Sequence, residues 1–426
     1  MLNLIGVIVA FIVIIFLIRK KFNFGLSLII GSLIVGVFSL QEIQPIDIVK
    51  GIIEATFYSF ETNHIYTYTI ELAILMTTIY ILAKLMQETG AIERIIESLR
   101  PIFSKGGILG VIPALYGLMP VPGGALFSAP MIDEEGEKYK LNKNQKNYLN
   151  VWFRHIWFPI YPISSAMILI CSIEFSDIEI SSLMLINIPA FLTSIIIGIF
   201  FLKRFLKNNH YEIEEKHKNK DISSLKFLLP PIIPLFTYMV LWIFEVPQIK
   251  AFLIGIILSL FTLYFLVKIS YKEFISLIKK SLTIKLALAI FGIMIFRQMI
   301  TVSHSDILIA NLIKSSNIPV ISMVVLIPLI LGVLTGYNFG AIALSYPIVQ
   351  PFFTQPTDSI TLIGMTSLIF ISALIGYLVS PIHLCNILSS DYLKTDTTRM
   401  YKMYIPSASV MLIVQIAFVV LIINIL

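Results

Sequence analysis

Long apolar runs alternate with short polar connections along the whole chain. Most are about 17–25 residues long, the length that a helix needs to cross about 30 Å of hydrocarbon. Between them, the stretch 41–65 is interpreted as an interfacial helix and the run 88–100 as an amphipathic one. The pattern predicts an all-α membrane protein with ten spanning helices, over about 2–18, 25–40, 66–86, 148–172, 180–203, 227–244, 250–267, 286–303, 361–380 and 404–426.

Two further apolar segments, over about 106–134 and 319–353, are broken by glycine and proline. The breaks have the sequences PVPGG at 120–124 and TGYNFG at 335–340. Proline removes a backbone donor and glycine permits close approach, so neither segment continues as one regular helix. Non-helical backbone survives at membrane depth only when protein buries it or when it lines a wet cavity. The pattern predicts two re-entrant hairpins with a binding site at their tips. Two kinked ordinary helices are the alternative.

The two halves of the chain share a pattern. The decapeptides VPGGALFSAP at 121–130 and NFGAIALSYP at 338–347 align without gaps, so that a glycine, a serine and the final proline coincide. Five spans in each half is an odd number, so the second half must lie inverted relative to the first. We predict a first repeat over 1–206, a cytoplasmic linker over 207–225 and an inverted repeat over 226–426. Duplicated broken segments point to a transporter's binding site.

Clusters of lysine and arginine indicate the orientation, since these residues concentrate on the cytoplasmic side of a membrane. All the clusters fall on one side only if each broken segment enters and leaves the membrane by the same face. This arrangement places both termini outside. The basic clusters lie at 19–21, 94–105, 138–146, 203–207, 268–280 and 394–402.

Composition excludes several classes of protein. The residues are 57% hydrophobic and only 13% charged, against about 25% charged in a soluble domain, so lipid is the expected partner. The net charge of +6 comes from basic connections and indicates no nucleic-acid partner. No catalytic motif or phosphate loop stands out, so we expect neither an enzyme nor a cofactor. Cys171 and Cys385 form no disulfide framework or metal-type cluster in the sequence, and we interpret both as apolar packing residues.

Two predicted helices carry interior proline at matched positions of the two halves. The segment WFPIYPISS at 157–165 has two prolines three residues apart, and SPIHLCN at 380–386 brings polar groups where its helix would otherwise continue. Such prolines either unwind a helix or produce a simple kink that neighbouring side chains heal. Their occurrence in both halves favours unwound segments with a function.

Among the ionisable residues that fall inside predicted spans, two arginines and a histidine are candidates for a function. An arginine buried in a membrane needs a partner, so Arg154 and Arg297 are candidate countercharges for an anion that a guanidinium can bind bidentately. Pairing with backbone carbonyls, or snorkelling of Arg154, is the structural alternative. His155 is either a proton relay or a hydrogen-bonded packing residue. The candidate substrate- and ion-binding residues are Pro122, Gly123, Gly124, Ser128, Arg154, His155, Tyr161, Ser164, Ser165, Arg297, Tyr337, Asn338, Gly340, Ser345, Ser380, His383 and Asn386.

Three motifs carry a family resemblance: LMPVPGGA at 118–125, FRHIW at 153–157 followed by Tyr161-Pro162, and SPIHLC at 380–385. Over nearly its whole length the chain resembles the ion transporter superfamily, which includes sodium/dicarboxylate symporters and gluconate and citrate permeases. Within it, the chain looks most like domain-of-unknown-function family 401, integral membrane proteins of bacteria and archaea. Its tips depart from the Ser-Asn-Thr signature of the sodium/dicarboxylate members.

The resemblance implies a homodimer whose subunits each combine a scaffold with a mobile transport region that moves by an elevator mechanism. Substrate and ions would bind between the two tips and the unwound helices. We therefore expect a secondary active transporter in a prokaryotic plasma or inner membrane, coupled to Na⁺ or H⁺ and carrying a small organic or inorganic anion. A cation/proton antiporter, or an intramembrane enzyme or lipid-handling protein, is the alternative.

Overall fold

The computed structural model describes residues 2–103, 106–119, 123–207, 222–315, 318–352 and 358–425. These residues form 21 α-helices, two short 3₁₀ helices and one hairpin, in which strand Tyr58–Ser59 pairs antiparallel with strand His64–Ile65. The linker predicted over 207–225 falls largely outside the described residues.

Most of the described residues of both halves are helical. The first half contains α1 (Leu2–Arg19), α2 (Phe24–Phe38), α3 (Pro45–Thr56), α4 (Tyr68–Glu88), α5 (Ala91–Leu99), α6 (Ile108–Gly117), α7 (Ala125–Lys138), α8 (Lys143–His155), α9 (Ser165–Ile170), α10 (Ile180–Ile186) and α11 (Ile188–Lys207). The second half contains a 3₁₀ helix (Ser223–Leu228), α12 (Leu229–Trp242), α13 (Gln248–Val267), α14 (Tyr271–Ser281), α15 (Ile284–Val302), α16 (Ser305–Ser315), α17 (Val320–Thr335), α18 (Asn338–Val349), a 3₁₀ helix (Gln350–Phe352), α19 (Ser359–Leu378), α20 (Leu384–Leu393) and α21 (Thr397–Ile425).

Eight of the described helical segments are long and apolar enough to cross a membrane, and the chain is a multi-pass membrane protein. Helix α1 illustrates how such a helix meets lipid. Ile5, Ile8, Ile12 and Phe16 follow one face and are each at least 50% exposed, while α2 packs against the helix. In water such an apolar stripe would turn toward the core, so its exposure is suited to hydrocarbon.

Eight of the ten predicted spans correspond to these segments, and two differ. Helix α2, predicted over 25–40, has only 15 residues. The span predicted over 148–172 is interrupted, because α8 ends at His155 and α9 begins at Ser165. Pro159 and Pro162 lie in this interruption, as expected of residues that donate no backbone hydrogen bond. The count of ten spans stays a prediction.

The helix predicted over 180–203 is divided at Asn187 into α10 and α11. Pro189 follows and cannot donate the backbone hydrogen bond that a continuous helix would need there. The Asn187 carboxamide makes other contacts instead. It donates to the carbonyl oxygen of Pro159 over 2.9 Å and accepts from the hydroxyl of Ser367 over 2.7 Å. Through the bond from Asn187 to Pro159, the division between α10 and α11 contacts the interruption after α8.

Helices α14 and α16 in the second half were not predicted. Helix α14 begins after Ser270, whose hydroxyl accepts from the Glu273 amide over 3.2 Å, and it ends with Lys279 and Lys280 in its last turn. A capping serine at the start and lysines at the end are ordinary stabilising features of a helix. Both helices are too short and too polar to read as spans, so a search for long apolar runs passes over them.

Helix α19 lies at the centre of the helical bundle. Every residue from Gly364 to Gly376 is buried, and α17, α18 and α21 all pack against the helix. A Cβ atom at Gly376 would lie 2.1 Å from the carbonyl oxygen of Leu329 on α17, so the two backbones are in direct contact. Small residues allow such close approach between membrane helices. This contact positions the second half's interruptions described below.

Candidate functional site

Four interruptions of helix lie within the apolar part of the chain. The first broken segment is α6–α7 and the second is α17–α18, while the first broken helix is α8–α9 and the second is α19–α20. Helix α6 has 10 residues, about 15 Å of rise, which is half the thickness of the hydrocarbon. Each interruption leaves backbone groups that intrahelical hydrogen bonds do not satisfy. The candidate site lies where these interruptions meet.

In the first broken segment, Gly123 has a φ of 71°, which glycine adopts without strain. A Cβ atom on Gly123 would lie 2.7 Å from Cδ1 of Leu388 and 3.3 Å from Cδ2 of Leu384. The turn before α7 therefore packs directly on α20, an element of the other half of the chain. Pro122, a predicted site residue, lies outside the described residues.

The second broken segment turns at Gly336, which has a φ of 60° and ends α17. A Cβ atom there would lie 2.6 Å from Cγ1 of Ile382, so this turn packs on the second broken helix. The Tyr337 ring packs edge-on against Phe24, with 5.7 Å between centroids. Asn338 begins α18, is only 6% exposed, and has a side-chain oxygen that accepts no hydrogen bond from the described residues.

Gly340 and Ser345 lie further along α18. A Cβ atom on Gly340 would lie 3.0 Å from the Phe24 ring. Ser345 is fully buried, and its hydroxyl lies 3.5 Å from the carbonyl oxygen of Ile342 in its own helix. Both residues therefore contribute to the packing of α18.

Arg154, near the end of α8, is buried beside the first broken segment. Its guanidinium donates to the carbonyl oxygens of Tyr116, over 2.5 Å, and Met119, over 3.3 Å. These carbonyls lie at the C-terminal end of α6, where backbone acceptors lack intrahelical donors and the helix dipole favours a cation. Gly124 makes room for the side chain, since a Cβ atom there would lie 2.1 Å from Nη2. The structure thus realises the predicted pairing with backbone carbonyls.

The non-helical part of the first broken helix is held to α6 by two more donors. The Trp157 indole donates to the carbonyl oxygen of Ala114 over 3.1 Å, and the Tyr161 hydroxyl donates to that of Leu118 over 2.7 Å. Ser164 then caps α9 by accepting from the Met167 amide over 3.2 Å. With Arg154, these side chains tie the first broken helix to the first broken segment.

Ser128 and Ser165 differ in their surroundings. Ser128 on α7 is fully buried, and its hydroxyl donates to the side-chain oxygen of Asn150 over 2.5 Å. Ser165 is the first residue of α9 and is partly exposed. Of the two, Ser128 is the residue that the structure joins to a polar network.

Sequence reasoning missed most of that network. The Asn150 amide donates to the carbonyl oxygen of Ala125, over 2.9 Å, and to the hydroxyl of Ser389 on α20, over 2.8 Å. One turn earlier, the Asn147 amide donates to the Ser390 hydroxyl over 2.9 Å. A signal was available, because residues 147, 150 and 154 share one face of a helix, with one asparagine inside the predicted span and the other directly before it.

The second broken helix is held to α17 and α21. The Ser380 hydroxyl donates to the carbonyl oxygen of Val333 over 2.6 Å, and the Ser380 carbonyl accepts from the Tyr401 hydroxyl over 2.7 Å. Asn386 donates to the same Tyr401 hydroxyl over 2.9 Å and accepts from Ser390 over 3.1 Å. These bonds position the non-helical residues 379–383 at the side of the second broken segment.

His155 and His383 meet between the two broken helices. Their ring centroids are 4.9 Å apart, and both residues are buried. The Cys385 thiol joins them, and the candidate ligand atoms of the three side chains all lie within 4.8 Å of one another. The expectation that neither cysteine belongs to a metal-type cluster is therefore wrong for Cys385. Residues 155 and 385 are far apart in the chain, so their spacing could not have shown it.

Arg297 lies elsewhere. Its guanidinium forms an ion pair with Glu174, in the connection between α9 and α10, and the Tyr66 hydroxyl donates to the same carboxylate. Both members of the ion pair are partly exposed, with side-chain exposures of 21% and 23%. A carboxylate thus already balances the charge of Arg297. This contact makes Arg297 a weaker candidate than Arg154 for binding an anion.

The interruptions of the two halves meet across the molecule. Helices α7 and α8 of the first half pack against α20, and α9 packs against α18. The second broken helix therefore contacts the first broken segment through Leu384 and Leu388. It contacts the second broken segment through Ile382. Most candidate residues from the described part of the chain line this junction, whereas Arg297 does not.

Comparison with protein families places the chain. The family model described as "Protein of unknown function (DUF401)" matches residues 2–423, so the chain belongs to this family. A search of curated proteins found no match.

Proposed function

The chain is a member of the DUF401 family that crosses the membrane several times, and we propose that it is a secondary active transporter that carries a small organic or inorganic anion. The observation that supports this function best is the meeting of four helix interruptions, two from each half, at one buried junction. Interrupted helices in a membrane protein expose backbone dipoles to a binding site that a continuous helix would not offer. Coupling to Na⁺ or H⁺ is part of the proposal.

The proposal also includes two inverted repeats, over 1–206 and 226–426. Both halves have the same order of elements, a pair of apolar helices first and a broken segment and a broken helix later. Packing partners correspond as well. Helix α6 packs on α8 as α17 packs on α19, and α7 packs on α20 as α18 packs on α9. In this arrangement the two broken segments are re-entrant hairpins, and the basic clusters favour both termini outside.

The charge at the junction favours an anionic substrate. Arg154 carries a positive charge into a buried position close to the N-terminal end of α7. Helix N-termini attract anions through their free amides and dipole, and a guanidinium adds donors suited to carboxylate or phosphate. The same low-polarity surroundings strengthen these attractions.

The second broken segment offers groups for a coupling cation. The side-chain oxygen of Asn338 is buried and accepts no hydrogen bond from the described residues, and Thr335 adds a hydroxyl nearby. Neutral oxygen atoms of this kind are suited to a hard cation such as Na⁺. His155 is the residue through which H⁺ coupling would act.

Family resemblance extends the proposal to mechanism. The resemblance of the chain to the ion transporter superfamily implies a homodimer in a prokaryotic plasma or inner membrane, with the junction moving as part of an elevator-type transport region. The chain's apolar outer surface suits a lipid partner.

Transport in proteoliposomes tests the function. Purified protein should accumulate at least one labelled anion from a panel of carboxylates, phosphate and sulfate when a Na⁺ or H⁺ gradient is imposed. Asn338→Leu should abolish Na⁺-driven uptake, whereas Asn424→Leu, which changes an exposed asparagine near the end of α21, should not. No uptake of any anion by folded protein would count against a transporter of anions. Dye-detected cation/proton exchange without an organic substrate would instead identify an antiporter.

A further inference from the structure

Three chemically reactive side chains come together where the two broken helices touch. His155 ends α8, His383 precedes α20, and Cys385 lies in the first turn of α20. They are 4%, 0% and 3% exposed, and their candidate ligand atoms all lie within 4.8 Å of one another. Two imidazoles and a thiol are the donor types that zinc prefers in proteins.

His155 is already oriented as a metal ligand would be. Its Nδ1 lies 2.6 Å from the carbonyl oxygen of Val151, and since a carbonyl can only accept, Nδ1 must carry the hydrogen. Nε2 therefore keeps its lone pair, on the side of the ring where the Tyr377 hydroxyl lies 3.2 Å away. Histidines that bind metals commonly donate their other ring nitrogen to a backbone carbonyl in this way.

His383 lacks the partners that a buried imidazole normally has. Neither of its ring nitrogens forms a hydrogen bond with any described residue, although the side chain is fully buried. Burying a polar group without a partner is unfavourable, and buried polar side chains in native proteins nearly always have one. A bound ion would satisfy one of these nitrogens.

We propose that Nε2 of His155, a ring nitrogen of His383 and Sγ of Cys385 bind one Zn²⁺ ion. Zinc lies about 2.0–2.1 Å from nitrogen and about 2.3 Å from sulfur, which puts tetrahedral nitrogen and sulfur ligands about 3.5 Å apart. The candidate ligand atoms lie up to 4.8 Å apart without the ion. They must therefore move closer to one another by up to about 1 Å when the ion binds. Binding releases the thiol proton to water, and no oxidation or reduction takes place.

Tyr377 borders the fourth position. Its hydroxyl lies 3.2 Å from Nε2 of His155 and 4.0 Å from the Cys385 sulfur. Three protein ligands with a neighbouring oxygen match the pattern of a zinc site that keeps one open position. The ion would join the end of α8 to the start of α20, and so connect the two halves of the chain. This inference does not depend on the proposed transport, but an ion on Nε2 would prevent His155 from carrying H⁺, so that coupling would then be to Na⁺.

Metal content and a spectroscopic signature test the site. Full-length protein purified in detergent and dialysed against trace Zn²⁺ should retain about one ion per chain by mass spectrometry, lost on prolonged treatment with a chelator. Protein reloaded with Co²⁺ should show a sulfur-to-metal charge-transfer band and tetrahedral visible bands. Folded protein without stoichiometric Zn²⁺ or Co²⁺ overturns the proposal, and so does selective binding of Cu⁺.

Matched variants locate the ion. Cys385→Ser should eliminate the sulfur band, and His383→Asn should weaken Co²⁺ binding by at least about tenfold. Cys171→Ser removes the other buried cysteine, and His64→Asn changes an exposed histidine, so both should leave the spectrum unchanged. Gel filtration verifies that each variant is folded, and His155→Asn replaces any variant that is not. A sulfur band that survives Cys385→Ser, or one that disappears with Cys171→Ser, contradicts the assignment.

Discussion

The two broken segments have the same kind of interruption, but different contacts stabilise them. Around the first, Arg154, Trp157 and Tyr161 donate from the first broken helix to carbonyls between residues 114 and 119. Around the second, the corresponding contacts are close backbone packing and one neutral bond, from the Ser380 hydroxyl to the Val333 carbonyl. The first side thus carries a buried positive charge, and the second carries the unpaired oxygen of Asn338.

This difference shows that one backbone pattern can carry two chemistries. Glycine and proline determine that a helix breaks, whereas the side chains packed behind the break determine which ion it favours. A positive charge behind the first broken segment suits an anion, and neutral oxygens at the second suit a cation.

Replacing Arg154 with methionine should have the largest effect. It removes two hydrogen bonds from a charged donor, to the carbonyls of Tyr116 and Met119, although the Tyr116 carbonyl keeps the Met119 amide as a second donor over 3.2 Å. A hydrogen bond that involves a charged group contributes about 1.5–3 kcal/mol. The free energy of unfolding should fall by about 2–6 kcal/mol, and anion binding by at least about tenfold. Thermal unfolding with and without each anion measures both.

Arg297→Met is the matched control for Arg154→Met. Its ion pair with Glu174 is partly exposed, and such pairs contribute about 1 kcal/mol or less. Equal losses of stability and of anion binding in the two variants would remove the distinction between the two arginines.

Replacing the glycines at the two backbone contacts should lower stability by nearly equal amounts beside the first and the second broken segment. A Cβ atom at Gly117 would lie 2.0 Å from the Arg154 carbonyl oxygen, and one at Gly376 would lie 2.1 Å from that of Leu329. Replacing either with alanine should lower the free energy of unfolding by about 1–3 kcal/mol, since the backbones must separate. Denaturation in detergent measures this, with Gly51→Ala as a control that meets only side chains. If alanine is tolerated at only one of the two positions, Gly117 or Gly376, then close backbone contact is needed only at the other.

Two buried asparagines should respond differently. Asn150→Ala removes bonds to the Ala125 carbonyl and to Ser128 and Ser389, so stability should fall by about 1–3 kcal/mol. Asn338→Ala breaks no bond at its side-chain oxygen, so stability without Na⁺ should fall by less than in Asn150→Ala. The stabilisation of Asn338→Ala by added Na⁺ should, however, be lost. If that stabilisation is the same as in the unaltered protein, Asn338 is not a Na⁺ ligand.

Small effects should also come from the loss of neutral hydrogen bonds. Tyr161→Phe loses the bond to the Leu118 carbonyl. Ser380→Ala loses the bond to the Val333 carbonyl and the longer one, 3.3 Å, that the hydroxyl accepts from the Ile382 amide. Each should lower the free energy of unfolding by about 1 kcal/mol without changing which ions bind. Calorimetry of both variants measures the loss. A change in ion preference from either variant would assign these neutral groups a role in selectivity.

Local features of the site could be predicted because they depend on residues close in the chain. Pro159 and Pro162 interrupt a helix wherever it packs, since neither can donate a backbone hydrogen bond. The turns at Gly123 and Gly336 were expected for a similar reason. Partners distant in the chain could not be predicted. Nothing near Asn150 indicates that Ser389 would accept its hydrogen bond, and the ion pair of Arg297 with Glu174 depends on the packing of α15.

By itself, the sequence determined that this is a multi-pass helical membrane protein, and it determined where the four interruptions at the candidate site fall. Both follow from local causes, namely the hydrophobicity of consecutive residues and the backbone restrictions of proline and glycine. Only the tertiary structure decided that α20 would contact α7 and α8, and that His155 would meet His383 and Cys385. Those contacts depend on how helices from two halves of the chain pack together, since close packing is set by the shapes of both partners at once.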